Sequence, residues 1–281
     1  RALIVVPSSL ITNWLNELEK WSTINSWSSI KGSAKTRQSM YLTQRRISVI
    51  SYDSLVNDTS YITESIFKTD LIVLDEAQRI KNRNTLVYKG ISKIKNFYKS
   101  NIWMLTGTPV QNSADELKSF SMIIDPYGAP SVSDKVRDLT NFLEGKILRR
   151  LKADVLKDLP EKIEQTIYLD FNQAQSEEYD SYIKHYRKLP RNDLEKNFFS
   201  YLNKLKHLCN FGEGTHDSAK LDYVMDILNN INQSNNRLIV FSQYVDTLNK
   251  IKNELTDHGY EIYMYHGYMS QKEKDTVLAD F

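Results

Sequence analysis

The fold of this 281-residue chain can be read from one octapeptide, Leu71-Ile-Val-Leu-Asp75-Glu76-Ala77-Gln78. Its four consecutive apolar residues are typical of a strand buried on both faces of a parallel sheet. Such a strand delivers Asp75 and Glu76 to the carboxyl end of the sheet, the edge at which open α/β folds bind ligands. Adjacent carboxylates are costly to bury there unless they share a cation or a proton. The octapeptide therefore predicts a ligand site beside the strand.

Two interpretations of this acidic pair remain open on the octapeptide alone. In the first, the pair serves nucleotide chemistry: Asp75 holds Mg²⁺, directly or through water, and Glu76 orients and deprotonates the attacking water. In the second, an exposed Asp-Glu pair begins a helix, where the helix dipole favours negative charge.

A turn some thirty residues later favours the first interpretation. The segment Met104-Leu-Thr106-Gly107-Thr108-Pro109-Val-Gln111-Asn112 reads as a strand that runs into a Gly-Pro turn with two hydroxyls. Hydroxyls at a strand end can sense a neighbouring carboxylate or phosphate. The alternative is an ordinary turn with a threonine cap.

Three further apolar runs predict the rest of a parallel sheet: Leu3–Val6, Ile47–Ile50 and Ile102–Leu105. Helical patterns lie between them, as in Leu10–Trp21, where apolar residues recur at spacings of three and four. Alternating strands and helices indicate an α/β layered domain with right-handed crossovers.

The chain changes character at the break Asp125-Pro-Tyr-Gly128. Residues 131–215 are predicted to be mainly helical, with one strand at Gln165–Leu169. Residues 216–281 predict the start of a second α/β unit. Its predicted elements are helices at Leu221–Leu228 and Val245–Leu255 and strands at Arg237–Phe241 and Glu261–Tyr265.

Composition excludes several classes of protein. With 41% hydrophobic and 26% charged residues the chain can build a core, which excludes wholesale disorder. No apolar run approaches the roughly 20 residues of a membrane span, and the single cysteine, Cys209, excludes an intrachain disulfide and a cysteine metal cluster. The net charge of +2 means that any nucleic acid must be met by local patches.

One such patch is Lys184–Lys206, where seven Lys and Arg residues face two acidic residues and aromatic residues are interleaved. It is interpreted either as a solvated helix face with its aromatic side chains in the core, or as a surface that touches a nucleic-acid backbone.

Seven segments carry a family resemblance, in order along the chain: Pro7–Trp21, Ile50–Leu55, Asp75–Asn82, Leu105–Asn112, Leu148–Pro160, Phe241–Tyr244 and His266-Gly267. The first four resemble motifs Ia, Ib, II and III of the Swi/Snf-type ATPases of helicase superfamily two. The fifth resembles the element between that family's lobes, and the last two resemble motif IV and the His-Gly element that follows it.

The resemblance implies two RecA-like lobes, both truncated, with a helical insertion between them. Lobe 1 would cover residues 1–130, the insertion 131–215 and the start of lobe 2 residues 216–281. ATP and Mg²⁺ are the implied cofactors. The implied catalytic residues are Asp75, Glu76, Gln78, Thr106 and Thr108, with Asp75 and Glu76 also binding the cofactor and Asp75 the metal.

The sequence also departs from the family pattern. Its Gly145-Lys146 pair is followed by Ile rather than Ser or Thr, so it is not a Walker A motif. The phosphate loop is expected upstream of the first strand, and motifs V and VI, with the arginine fingers, beyond Phe281. An arginine finger is worth ~10³–10⁵ in rate. We therefore expect a fragment that hydrolyses ATP negligibly, although the complete protein should be an ATPase.

Double-stranded DNA is the implied partner, held through small polar groups that suit phosphate contacts. The implied DNA-binding residues are Ser8, Asn13, Ser51, Tyr52, Gln111, Asn112, Arg149, Arg150, Lys152, Ser242, Gln243 and His266. Alternatives remain for several of them. Asn13 would be a helix cap, Tyr52 a packed side chain, His266 a turn histidine, and the basic cluster around Arg149 a brace between lobes. Trp14, on the same face, is a core residue or stacks on a base.

The family reading is a motor that moves along duplex DNA without separating its strands. One rival is a nucleic-acid clamp or scaffold with a degenerate ATPase site. Another is a strand-separating helicase, against which the tryptophan-containing motif Ia and the Leu148–Val155 element argue. Gln78 replaces the family's more usual His, which favours a bacterial cytoplasmic protein that acts on naked DNA or a DNA-bound polymerase. A eukaryotic protein would be nuclear and act on a nucleosome. No membrane partner is expected.

Overall fold

The computed structural model describes residues 1–43, 45–107, 114–150, 155, 162–212, 218–231 and 237–281. The chain divides into two compact units, residues 1–159 and 160–281, which are described separately below. Among the described residues, no helix has the length and apolar character needed to cross a membrane.

The first unit contains a five-stranded, fully parallel sheet with the strand order β2-β3-β1-β4-β5. The strands are β1 Ala2–Val6, β2 Trp27–Ile30, β3 Ile47–Ser51, β4 Leu71–Leu74 and β5 Asn101–Met104. The predicted α/β class is therefore confirmed, and the four predicted strands lie within one residue of their expected bounds. Strand β2 was not predicted, because two serines interrupt its short apolar pattern.

Helices cover both faces of this sheet. They are α1 Ile11–Trp21, α2 Ala34–Leu42, α3 Tyr52–Glu64, α4 Leu86–Tyr98, α5 Ala114–Ile124 and α6 Val136–Leu143. Side chains alternate across a strand, so Leu3 and Val5 of β1 pack into one core with α3 and α4, whereas Ile4 and Val6 pack into another with α1. Single 3₁₀ turns occupy Ser8–Leu10, Ala77–Ile80 and Ala129–Ser131.

A buried ion pair joins α2 to α3. The Arg37 guanidinium donates to both carboxylate oxygens of Asp58 at 2.6 and 2.7 Å, and the Tyr41 hydroxyl donates to the same carboxylate at 2.9 Å. Asp58 is only 5% exposed. The pairing offsets the cost of burying its charge.

The second unit is helical in its described residues. Its helices are α7 Gln173–Arg187, α8 Arg191–Leu208, α9 Ala219–Ile231, α10 Val245–Asp257 and α11 Gln271–Asp280. Helices α9 and α10 pack around Leu221 and Leu255, and α10 is followed by Gly259 at a φ of +82°, as expected for a glycine stop. With α6, α7 and α8, the prediction that helices dominate residues 131–212 is confirmed.

Three strand predictions are wrong. Gln165–Leu169, Arg237–Phe241 and Glu261–Tyr265 are neither strand nor helix. Apolar residues favour a strand, but a strand also needs a hydrogen-bonded neighbour, and no ladder joins these segments within the described part of the chain. Nothing in the structure tests the predicted three-part division at residues 130 and 215, which stays a prediction.

Candidate active site

The candidate site lies at the carboxyl edge of the sheet, where β4 ends between β1 and β5. The Asp75 backbone N–H donates to the Val5 carbonyl of β1 at 2.9 Å. On the other side, the Leu105 N–H donates to Leu74 at 2.8 Å, and the Ala77 N–H donates to Leu105 at 2.9 Å. These bonds extend the ladders past the strands, and they place the residues after β4 and β5 side by side.

Asp75 is held by three neighbours in addition to β1. One carboxylate oxygen, Oδ2, accepts from the indole Nε1 of Trp14 at 2.8 Å, and the other, Oδ1, accepts from the Glu76 backbone N–H at 2.9 Å. The Asp75 carbonyl accepts from the Tyr52 hydroxyl at 2.6 Å. Both the backbone and the side chain of this half-buried aspartate are therefore oriented by the fold.

Tyr52 is fully buried beneath Asp75. Burial, reinforced by the charge of Asp75, raises the pKa of its hydroxyl, so the tyrosine keeps its proton and acts as a donor. The Arg79 guanidinium lies 5.5 Å from the centre of the Tyr52 ring, within the range of a cation–π contact. It brings a positive charge close to the acidic pair.

Glu76 has a left-handed backbone, with φ 50° and ψ 52°. A non-glycine residue rarely adopts this conformation, and it costs free energy unless the surroundings hold it. The conformation turns the chain sharply out of β4 and into the 3₁₀ turn Ala77–Ile80. Strain of this kind clusters at functional sites.

A relay of hydrogen bonds connects Glu76 to the end of β5. The Gln78 amide Nε2 donates to Glu76 Oε2 at 2.7 Å, and the Thr106 hydroxyl donates to Gln78 Oε1 at 2.9 Å. A glutamine amide can donate and accept at once, which is what this position between a carboxylate and a hydroxyl requires. The structure thus brings together three of the predicted catalytic residues.

The donors present suit Mg²⁺. In proteins this ion is usually held by one or two carboxylates with substrate phosphates and water. Each Asp75 oxygen accepts one hydrogen bond and keeps acceptor capacity for a metal-bound water or the metal. No cluster of three or more His, Cys, Asp or Glu side chains suited to a metal occurs among the described residues, so a site completed by phosphate fits better than an all-protein cage.

The predicted DNA-binding residues of the first unit are placed as follows. Ser8, in a 3₁₀ turn, and Asn13, on α1, are exposed. Asn13 does not cap α1, because Leu10 occupies the N-cap and makes no side-chain bond. Ser51 is buried and caps α3 by accepting from the Ser54 N–H at 3.2 Å. Tyr52 is buried with its hydroxyl on Asp75, which favours the packed alternative.

In the second unit, the predicted residues flank α10. Ser242 is half-buried and accepts from the Tyr244 N–H at 3.1 Å, whereas Gln243 is exposed. His266 is half-buried, and its Nδ1 atom is buried with no hydrogen-bond partner among the residues that the structure describes.

Other predicted residues divide into two groups. Arg149 and Arg150 are exposed. Thr108, Gln111, Asn112 and Lys152 lie outside the described residues, so their places stay predictions.

The basic segment Lys184–Lys206 spans α7 and α8. Tyr182 and Tyr186 pack against Tyr201, with ring centres 5.5 and 4.3 Å apart, as the structural interpretation expects. Phe199, however, is 82% exposed, so the aromatic residues of this segment do not all lie in a core.

Sequence reasoning missed the contact between Trp14 and Asp75. Trp14 was considered only as a core or base-stacking residue, and its spacing on α1 indicated an apolar face. The one available signal was that tryptophan carries an N–H donor, which usually finds a partner when the ring is buried.

Family comparison covers nearly the whole chain. The sequence model of the SNF2-related domain matches residues 1–213, and that of the helicase conserved C-terminal domain matches residues 219–281.

Three relatives illustrate the similarity. The chain is 29% identical over its whole length to a Mycoplasma pneumoniae protein described as an uncharacterised ATP-dependent helicase, of which it covers 29%. It is 26% identical over 99% of its length to the Bacillus subtilis putative ATP-dependent helicase/translocase YwqA, covering 34% of it. It is 28% identical over 88% of its length to human chromodomain-helicase-DNA-binding protein 1, covering 17% of it. The chain thus spans about a third or less of each relative.

Proposed function

The chain belongs to the SNF2-related family, and from this premise we propose that it forms part of a motor that couples ATP hydrolysis to movement along double-stranded DNA. Its cofactors would be ATP and Mg²⁺. The relatives named as ATP-dependent helicases support ATP use, and the relatives named as a translocase and as a DNA-binding protein support the rest of the proposal.

The relay from Glu76 through Gln78 to Thr106 carries this proposal. A general base needs a carboxylate that is held in place and can be shifted when a neighbouring element moves. Here the amide of Gln78 holds the carboxylate of Glu76, and the hydroxyl that holds the amide belongs to the segment after β5. Glu76 would orient and deprotonate the attacking water, and movement of the Thr106 segment would change its position.

Asp75 would hold the metal, which supplies charge neutralisation for phosphoryl transfer when it is bound. The fold orients the Asp75 carboxylate through Trp14 and the Glu76 N–H. Thr108 would act with Thr106 at the end of β5.

DNA would be held by its backbone. The exposed polar residues Ser8, Asn13 and Gln243, together with Arg149 and Arg150, provide amides, hydroxyls and guanidinium groups suited to phosphate oxygens. Ser242, His266, Gln111, Asn112 and Lys152 remain in the proposed set. Contacts of this kind position a protein on DNA without reading its sequence, as a translocating motor requires. The proposal places this motor in a bacterial cytoplasm, where it would displace a DNA-bound protein.

The proposal assigns activity to the complete protein. A phosphate loop and the family's arginine motif do not occur within these 281 residues, and this chain alone is expected to hydrolyse ATP negligibly.

The decisive experiment measures ATP hydrolysis by the complete protein without DNA, with duplex DNA and with single-stranded DNA. Glu76→Gln is compared with Glu64→Gln, a matched change at an exposed glutamate at the end of α3. We expect strong stimulation by duplex that Glu76→Gln abolishes and Glu64→Gln retains. Displacement of a triplex-forming oligonucleotide then reports translocation.

Two results would contradict the proposal. No hydrolysis in any lane, with salt-sensitive DNA binding intact, would indicate a clamp. Separation of a forked duplex into single strands would indicate a conventional helicase.

A further inference from the structure

Asp75 and Glu76 are held in different ways, and the difference points to a role for Trp14. We infer that Trp14 is a positioning residue, whose indole N–H fixes the Asp75 carboxylate in the orientation that Mg²⁺ requires. This inference rests on the proposed function, because it assumes that Asp75 holds the metal of an ATPase.

The backbone of Asp75 leaves its side chain little freedom beyond rotation of the carboxylate. Its N–H is bound to Val5 and its carbonyl to the Tyr52 hydroxyl. Of the two carboxylate oxygens, Oδ1 accepts from the next backbone N–H, and Oδ2 accepts from Trp14. Within the described part of the chain, Trp14 is the one side chain seen to donate to this carboxylate.

Packing makes Trp14 a directional donor. Its ring is half-buried against the core formed by Ile4, Val6, Val49 and Val73. The indole N–H therefore points to one place, and it meets Asp75 at 2.8 Å. A hydrogen bond to an ionised carboxylate is about twice as strong as one between neutral groups.

The bond orients the carboxylate without saturating it. A carboxylate oxygen offers about two acceptor positions, and each Asp75 oxygen uses one of them on an N–H donor. The remaining positions are available to a metal ion or its water. Outer hydrogen bonds of this kind typically change metal affinity or activity by about 10–100-fold when they are removed.

The same helix offers a matched control. Trp21 also lies on α1 and also donates its indole N–H to a carboxylate, that of Glu17, at 2.9 Å. Its side chain, however, is 72% exposed, and the Glu17 bond lies within one helix. Trp14→Phe and Trp21→Phe are therefore the same chemical change with and without a link to Asp75.

The experiment measures Mg²⁺-dependent binding of a fluorescent ADP analogue by the complete protein, together with the Mg²⁺ dependence of ATP hydrolysis. We expect Trp14→Phe to raise the Mg²⁺ concentration at half-maximal binding by about tenfold. Saturating Mg²⁺ should restore most of kcat. Trp21→Phe should bind as the wild type does.

A second variant separates the N–H from the ring. Benzothienylalanine introduced at position 14 has sulfur in place of the indole N–H and nearly the same shape. It should reproduce the Trp14→Phe shift while leaving the thermal unfolding midpoint close to that of the wild type, and it keeps the test informative if Trp14→Phe does not fold.

Three results would overturn the inference. Equal Mg²⁺ dependence of Trp14→Phe and Trp21→Phe would do so, as would wild-type Mg²⁺ affinity with benzothienylalanine, which would assign the role to packing. In either case duplex-stimulated hydrolysis by the wild type would leave the proposed function standing. Absence of Mg²⁺-dependent nucleotide binding in the wild type would remove both.

Discussion

The hydroxyl of Thr106 donates to the side-chain oxygen of Gln78 at 2.9 Å, across the gap between the segments that follow β5 and β4. The same glutamine donates to Glu76. A single side chain thus connects the carboxylate proposed as general base to a neighbouring strand end. Movement of one strand end can therefore be felt at the reacting group of the other.

Gln78→Leu removes both hydrogen bonds with little change in size. A hydrogen bond to a charged group is worth about 1.5–3 kcal/mol, and each ~1.4 kcal/mol is tenfold in rate, so we expect duplex-stimulated ATP hydrolysis to fall at least about tenfold. Steady-state rates with saturating duplex check this. Gln38→Leu, at an exposed position on α2, is the control. Full stimulation in Gln78→Leu would show that the relay has no part in coupling.

Thr106→Val tests the other end of the relay. Valine keeps the shape of threonine and lacks the hydroxyl, so its effect on stimulated hydrolysis should resemble that of Gln78→Leu, whereas Thr106→Ser should retain activity. Because the two residues are in contact, the double variant Gln78→Leu/Thr106→Val should lose less than the two single losses combined. Additive losses in this cycle would mean that the two side chains act independently.

Stability at alkaline pH should depend on two buried tyrosines. Burial and a nearby carboxylate raise the pKa of Tyr41 and of Tyr52 in the folded protein, whereas an unfolded tyrosine titrates near pH ~10. Below that pH both states keep the proton. Above it the unfolded state releases protons first, so the free energy of unfolding falls as pH rises.

Urea unfolding between pH 8 and pH 11 measures this decline. Tyr41→Phe and Tyr52→Phe should each make it shallower, whatever they do to stability at pH 8. Tyr127→Phe, at a tyrosine that is 93% exposed, should leave the slope as it is. A wild-type slope in both buried variants would contradict the prediction.

Arg37→Met should destabilise the first unit strongly. It leaves the Asp58 carboxylate buried without its cation, and breaking a buried pair on one side typically costs about 3–5 kcal/mol. Lys35→Met, at an exposed position on the same helix, should have little effect. Chemical unfolding followed by circular dichroism compares the two. Equal midpoints would show that the Tyr41 hydroxyl or water suffices for Asp58.

Arg149 and Arg150 are expected to contact DNA phosphates. If each contact is lost in Arg149→Gln/Arg150→Gln, the slope of log affinity against log salt should fall by about 0.9 per contact. Lys184→Gln/Lys188→Gln is the comparison, since those exposed lysines lie beside Glu177 and Asp180 on α7, which offset their charge. Duplex binding by the complete protein, titrated at several salt concentrations, checks both. An unchanged slope in the arginine variant would favour the brace between lobes.

Much of the first unit was predictable because its signals are local. A run such as Leu71–Leu74 can be buried on both faces only in a covered sheet, and the polar residues after such runs must then meet at one edge. The order of motifs carried the family. Strand β2 escaped because Ser28 and Ser29 hide its pattern, and the false strands, such as Arg237–Phe241, show that an apolar run does not create its own hydrogen-bonding partner.

Local chemistry in the sequence determines that Asp75 and Glu76 leave a buried strand together and that Gln78 and Thr106 lie near strand ends. Only the tertiary structure decides how they are joined. The Trp14 bond to Asp75 spans 61 residues of sequence, and the Thr106 bond to Gln78 spans 28. Hydrogen bonds are short and directional, so their partners depend on where packing places each ring and strand, and that position is a property of the whole sheet with its helices.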